Sequence, residues 1–191
     1  MLTLIAKQAN TPSAASVGGK TGVDLGNLKN QIGVINSGEM VLVDTSFLDT
    51  LPQSHLKSGL AEMLKHGLIH SRAYWNKVSN LSGQSLADLD QLIYESVVIK
   101  HEIVEQDPFE SGMRKHLNFG HTLGHAIESY CLESKIRPTL VHGEAIAIGI
   151  VLATYISSTL VGFDKNNRLF WNFISKLCGV IGIIAADANY L

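Results

Sequence analysis

Apolar positions along the chain follow two different patterns, with the change near Gln53. From there they recur at helical spacing. In "QSHLKSGLAEMLKHGLIH", Leu56, Leu60, Met63, Leu64 and Leu68 keep close to a 3.6-residue period and predict an amphipathic helix. "SLADLDQLIYESVVIKHEIVEQ", residues 85–106, predicts a second helix that stops before Pro108. Arg114 to about Glu133 predicts a third, and "KIRPTL" a loop broken by Pro138. His142 opens a fourth, almost wholly apolar helix, and a last helical segment is expected from about Asn166 to Leu177. Before Gln53 there is little helical signal. Residues 1–14 show no clear periodicity, and the glycine-rich "SVGGKTGVDLGNLKNQIG", residues 16–33, reads as a loop or tight hairpin. "MVLVDT", residues 40–45, reads as a strand, and "TSFLDTLP" as a connection ending at Pro52. The expected fold class is mainly α: a helical domain over 53–191, with a short β and loop segment over 1–52 that belongs to the edge of another unit.

One polar stripe interrupts the third helical pattern. Arg114, Asn118, His121 and His125 are separated by 4, 3 and 4 positions, steps that fall on one face of an α-helix. A stripe of Asn and His is not the Lys and Glu of an ordinary solvated face, so it points to a site.

Composition narrows the class. Of 191 residues 46% are apolar and 17% charged, enough to bury a sizeable core in one domain and part of another. A net charge of −2, with no basic stripe or zinc-finger spacing, argues against nucleic-acid binding. Cys131 and Cys178 are far apart and read as buried thiols in a reducing compartment, which suggests the cytoplasm. The N-terminus makes a poor signal peptide. Ala145 to Phe163 approaches the length of a membrane span, but Tyr155, Ser157, Ser158 and Thr159 within it favour a buried core helix and no membrane partner.

Two kinds of chemistry emerge from the residue types. His121 and His125 have i, i+4 spacing; His142 stands at a helix start before Gly143 and Glu144; Glu62 lies on an amphipathic helix. A catalytic zinc site uses three protein ligands and keeps one position open, and two of these histidines with Glu62 would suit it. Spacing alone does not choose which two. The competing reading is a hydrogen-bonded core pair. The second theme is anion binding. Lys20 follows Gly18 and Gly19, where a glycine-rich turn exposes backbone N–H groups, and Lys65, Lys100 and Arg114 supply further cations. Each of these, taken singly, also reads as a solvated surface charge. "GGKTG" lacks the P-loop pattern, and no GxGxxG follows a strand.

Taken together, "SVGGKTGVDLGNLKNQIG", "DTSFLDTLP", "KSGLAEMLKHGLI", "RKHLNFGHTLGHAIE" and "VHGEAIAIGI" resemble, in that order, the 3-dehydroquinate synthase family of sugar-phosphate cyclases, from about Ser16 to about Gly162. The resemblance implies a phosphate-eliminating lyase of the shikimate pathway, in chorismate and aromatic amino acid biosynthesis. Such an enzyme converts the sugar phosphate 3-deoxy-D-arabino-heptulosonate 7-phosphate to 3-dehydroquinate and phosphate. It also implies NAD and a divalent metal, zinc or alternatively cobalt, and a cytoplasmic homodimer. By the same resemblance Glu62, His121 and His142 are metal ligands, and His125 contacts substrate and assists proton transfer. Lys65, Lys100, Arg114 and Asn118 match substrate positions, and Lys20 and Asn30 the seam between cofactor and substrate. Lys29 and Phe47, Leu48, Asp49 and Thr50 match positions lining the NAD.

Departures from the family are also evident. Most of the family's N-terminal nucleotide-binding domain has no counterpart here. Its aspartate two residues before "SVGGK" is Ala14, and a lysine of its last helices has no evident equivalent after Gly162. The expectation is a metal- and substrate-binding domain with a stub of its neighbour, an exposed apolar interface and little turnover by itself. The alternatives are a related cyclase, a metal-dependent alcohol or glycerol dehydrogenase fragment, and a helical domain that only binds metal.

Overall fold

In the computed structural model, residues 3–4, 17–25, 28–36, 40–80, 86–134 and 139–162 are described. The expected helical segment from Asn166 to Leu177, the position of Ala14, Cys178 and the centre of the 135–138 loop lie outside them.

The glycine-rich stretch forms an antiparallel hairpin, β2 (Lys20–Leu25) with β3 (Leu28–Ile35), in a register that sets Lys20 opposite Ile35 and Val23 opposite Ile32. The strand expected over 40–45 shrinks to β4 (Val41–Leu42), paired in parallel with β1 (Thr3–Leu4), a strand the aperiodic N-terminus did not signal. A 3₁₀ helix, Thr45–Thr50, follows, started by the Asp44 carboxylate, which accepts from the Ser46 N–H at 3.0 Å.

The helical part begins where the periodicity changes. Pro52 precedes α1 (Gln53–Ile69), and Ala61, Met63 and Leu64 are buried on its inner face. A short helix missed by the periodicity, α2 (Arg72–Val78), is capped by the Ser71 hydroxyl, which accepts from the Tyr74 N–H at 3.2 Å. The long α3 (Leu86–Gln106) buries Leu92, Ser96, Ile99 and Ile103 along one stripe. Tyr74 ties α2 to α3 by donating its hydroxyl proton to the Leu92 carbonyl at 2.8 Å.

The expected single helix from Arg114 to Glu133 is broken. Met113–Asn118 is a 3₁₀ helix, and α4 runs from His121 to Glu133. Between them Gly120 takes a left-handed conformation with φ of 79°. The reason is packing: a β-carbon on Gly120 would stand 2.6 Å from the Ile150 backbone nitrogen, so the chain turns where another helix lies against it. Arg114 and Asn118 therefore do not share a helical face with His121 and His125.

The last described helix, α5 (His142–Leu160), is the one described helix long and apolar enough to cross a membrane by length and composition. Its Ile146, Ala147 and Ile150 are buried in one core cluster with Leu64, Ile99 and Leu117. The hairpin is the opposite case: Val23 and Val34 are 63% and 64% exposed, and Leu25 and Ile32 are similarly open.

Candidate metal and substrate site

The site lies where α1, α4 and α5 meet, and two close approaches put them there. The Gly143 N–H donates to Ser58 Oγ at 2.8 Å, which brings the start of α5 onto α1 one turn before Glu62. Glu144 caps the same end, its carboxylate accepting from the Val141 N–H at 3.0 Å. His142, between them, is thereby held against Glu62. Farther along, Gly149 packs on Gly120 at the start of α4, so that His121 and His125 enter the same space.

Three imidazoles gather there. Their ring centroids are 5.5 Å apart for His121 and His125, 5.8 Å for His121 and His142, and 5.4 Å for His125 and His142. Glu62 Oε1 lies 3.5 Å from His121 Nε2 and 3.8 Å from His142 Nε2. Its other oxygen accepts from Lys65 Nζ at 2.5 Å. Burial alone would raise the Glu62 carboxyl, but Lys65 and His121 outweigh it and hold the group well below the usual carboxylate range. His121 is pushed down to about 4, first by burial and then by Lys65. At neutral pH the site holds a carboxylate and a neutral imidazole, the protonation states that metal coordination requires.

Does this set fit a divalent ion? Glu62 Oε1 is buried and has no hydrogen-bond partner, an arrangement costly for a charged oxygen unless a cation satisfies it. The ligand atoms of Glu62, His121 and His142 all lie within 4.8 Å of one another. Two donors each ~2 Å from a tetrahedral zinc sit roughly 3.3 Å apart, close to the separations from Glu62. The donor set fits.

Cations surround this centre. Lys65 is buried on α1 at 3% exposure. Lys100 on α3 is lowered to about 8, by burial first, then by Lys65, with Arg114 and Lys20 acting the same way and Glu62 opposing. So three basic side chains from other elements lie within electrostatic reach of Lys100, an environment that favours an anion.

The structure gives two expected substrate residues additional partners. Arg114, 2% exposed, donates from Nη1 to the Pro108 carbonyl at 2.6 Å and from Nη2 to the Gly18 carbonyl at 2.7 Å, pinning the glycine turn to the loop after α3. Asn118 donates to Glu110 Oε1, and Lys20 pairs with Glu110 Oε2. Glu110, held low by Lys20 and Asn118 against the effect of burial, joins the hairpin to the site and escaped the sequence reading. Its positive φ of 59° is a local signal visible only in the backbone. Also missed was Glu128, buried on α4, whose Oε2 lies 3.4 Å from His125 Nδ1 and 3.3 Å from His142 Nδ1. It stands three positions after His125 and seven after His121, a spacing that could have placed it on the histidine face.

The remaining expected residues lie on β3 and on the 3₁₀ helix before α1. Phe47 and Asp49 are exposed on the 3₁₀ helix. Lys29 and Asn30 lie on β3, their side chains outside the described residues.

The fold is dehydroquinate synthase-like. The structure is similar to 2-epi-5-epi-valiolone synthase from Streptomyces hygroscopicus with NAD+ and Zn2+ bound (TM-score 0.74, 23% identity, 91% of this chain and 49% of that one). It is also similar to 2-deoxy-scyllo-inosose synthase complexed with carbaglucose-6-phosphate, NAD+ and Co2+ (TM-score 0.71, 25% identity, 91% and 47%). The chain belongs to the 3-dehydroquinate synthase family: residues 59–177 match the family's C-terminal model and residues 4–58 its N-terminal model. It is 46% identical over 151 residues to 3-dehydroquinate synthase of Parabacteroides distasonis, covering 78% of this chain and 42% of that protein. Against the Streptococcus pyogenes enzyme it is 48% identical over 139 residues, 72% and 38% of the two chains. The chain thus spans about two fifths of the curated relatives it matches.

Proposed function

We propose that these residues form the metal- and substrate-binding part of a cytoplasmic, homodimeric 3-dehydroquinate synthase that converts 3-deoxy-D-arabino-heptulosonate 7-phosphate to 3-dehydroquinate and phosphate. The observation that carries this reading is the unpartnered Glu62 Oε1 facing His121 Nε2 and His142 Nε2, with Lys65 on the other carboxylate oxygen. Family membership supports this cyclase over a dehydrogenase fragment or a purely structural helical domain. Buried, unpaired Cys131 accords with a reducing compartment.

In this reading residues 1–52 belong to the NAD-binding unit and 53–191 to the helical one. Lys29 and the segment Phe47, Leu48, Asp49 and Thr50 line the NAD. Glu62, His121 and His142 hold the metal, zinc or alternatively cobalt. A divalent ion bound there would supply Lewis acidity, and NAD would supply hydride-transfer chemistry. Lys65 neutralises Glu62 on the side away from the histidines. Lys100, with its lowered pKa, and Lys20 face the substrate's phosphate and carboxylate. Asn118 and Asn30 orient its hydroxyls. Arg114 holds the glycine turn so that Lys20 stays over the site. His125, partly exposed beside the other two rings, moves a proton at the reacting carbon.

The experiment is phosphate release from 3-deoxy-D-arabino-heptulosonate 7-phosphate by the chain with zinc and NAD, alongside a zinc titration and a His121→Ala control. The reading expects tight zinc binding that His121→Ala abolishes, with any phosphate release abolished in parallel. Zinc affinity unchanged by His121→Ala would overturn it.

A further inference from the structure

We propose that Glu128 is a positioning residue that fixes the tautomer and ring direction of His142 and holds His125 beside it. The inference rests on the metal reading above. Glu128 side-chain exposure is 8%, against 30% for His125 and 22% for His142, so the carboxylate lies behind the two rings. Its Oε2 faces Nδ1 of both, at 3.4 Å and 3.3 Å.

The chemistry of the two partners sets the direction of each bond. An ionised carboxylate only accepts, so a neutral imidazole facing it must carry its proton on Nδ1 and leave Nε2 bare. For His142 the bare Nε2 then points toward Glu62 Oε1, 3.8 Å away. A lone pair thus confronts a carboxylate oxygen with no proton between them, and that oxygen has no hydrogen-bond partner of its own. That pairing is unfavourable in an empty site and favourable around a cation. Glu128 therefore prepares the site for a metal by excluding the alternative tautomer, in which His142 would donate from Nε2 to Glu62. A carboxylate behind a ligating histidine commonly raises metal affinity in this way.

His125, Glu128 and His142 also form a second cluster of donor atoms within 4.8 Å. Ligation there would use His142 Nδ1. With the first site also filled, His142 would have to bridge two metals as an imidazolate, losing a second proton, so positioning is the favoured role.

The test uses long-range nitrogen–proton NMR on the metal-free 191-residue chain, and zinc titrations of the chain and of Glu128→Gln. The expected result is an Nδ1–H tautomer at His142 and His125, and an Nε2–H tautomer at His142 in Glu128→Gln. Zinc affinity of the variant should fall about 10- to 100-fold. A proton on His142 Nε2 in the unmodified chain overturns the proposal, and that spectrum decides even where the variant does not fold. So does a folded variant that binds zinc within about twofold of the original, or a second zinc per chain lost in Glu128→Gln. Nδ1–H tautomers in a chain that binds no zinc would sink the metal reading and leave the positioning role standing.

Discussion

Gly143 and Ser58 touch so closely that a β-carbon on Gly143 would stand 2.3 Å from the Ser58 carbonyl oxygen. The contact is backbone against backbone, so no side-chain rotation relieves it. Alanine is the better helix former by about 1 kcal/mol, but a clash of this depth forces α1 and α5 apart. Gly143→Ala is expected to lower stability by roughly 1–3 kcal/mol in urea unfolding. It should also weaken zinc binding, because His142 moves away from Glu62 with the helix. Stability lost with zinc affinity retained would show that this contact does not set the metal site.

Arg114 offers a second structural test. Two of its N–H groups satisfy the Gly18 and Pro108 carbonyls. Truncation to alanine leaves both without their donor and opens a cavity, a loss of roughly 2–4 kcal/mol. Arg114→Lys keeps the charge but offers no planar fork for two carbonyls. Both variants should speed amide hydrogen exchange in β2 and β3, with α3 exchanging at its original rate. Unchanged hairpin exchange would mean that the turn is held by something other than Arg114.

The sequence shows some of this architecture and hides the rest for identifiable reasons. α1 and α3 are long and their apolar residues keep one period, and α5 is a long apolar run, so pattern alone finds them. The hairpin is visible because glycines cluster between short apolar runs. The break at Gly120 is not, since it is imposed by Ile150, thirty positions away. Periodicity therefore joined Arg114 and Asn118 to the wrong helix. Among the histidines, spacing pairs His121 with His125, yet it is His142 that shares Glu62 Oε1 with His121, while His125 faces Glu128. That exchange depends on where α5 crosses α1, a long-range fact. Spacing alone could put Glu128 on the histidine face, but its contact with His142 appears only once α5 is laid over it.

His66 makes stability depend on pH in the mildly acid range. It is 1% exposed, with Nδ1 2.8 Å from Ser96 Oγ, and burial, followed by Lys65, lowers its pKa to about 3. The unfolded ring titrates near 6.5. Between these values the unfolded chain binds more protons, so stability rises with pH across the window and is lost as pH falls below about 6.5. His121, lowered to about 4, acts in the same direction. In the metal-free chain the urea midpoint should fall from pH 6.5 toward pH 5, and His66→Gln should flatten part of that slope. An undiminished slope would assign the dependence to other groups.

Asp107 acts at lower pH and through backbone donors. It closes α3 just before Pro108, a position that reads from sequence as a helix stop. The carboxylate accepts from the N–H groups of Ser111 at 2.8 Å, Gly112 at 2.7 Å and Arg114 at 3.0 Å. Burial works to raise its pKa, but these donors prevail and hold it at about 2. A depressed carboxylate contributes stability in full above its unfolded value near 3.9, and the contribution disappears as pH falls through the folded one. The window is therefore about pH 4 down to about pH 2. Asp107→Asn keeps the shape but gives up an acceptor charge shared by three N–H groups. It should lower the urea midpoint at pH 7 and abolish the part of the acid transition that Asp107 supplies, so that variant and original converge near pH 2. The loop also sets the direction of Arg114, whose own N–H is one of the three donors, so hairpin exchange should quicken in Asp107→Asn as it does in the Arg114 variants. A midpoint gap that stays constant from pH 7 to pH 2 would show that the carboxylate's charge is not what orders this loop.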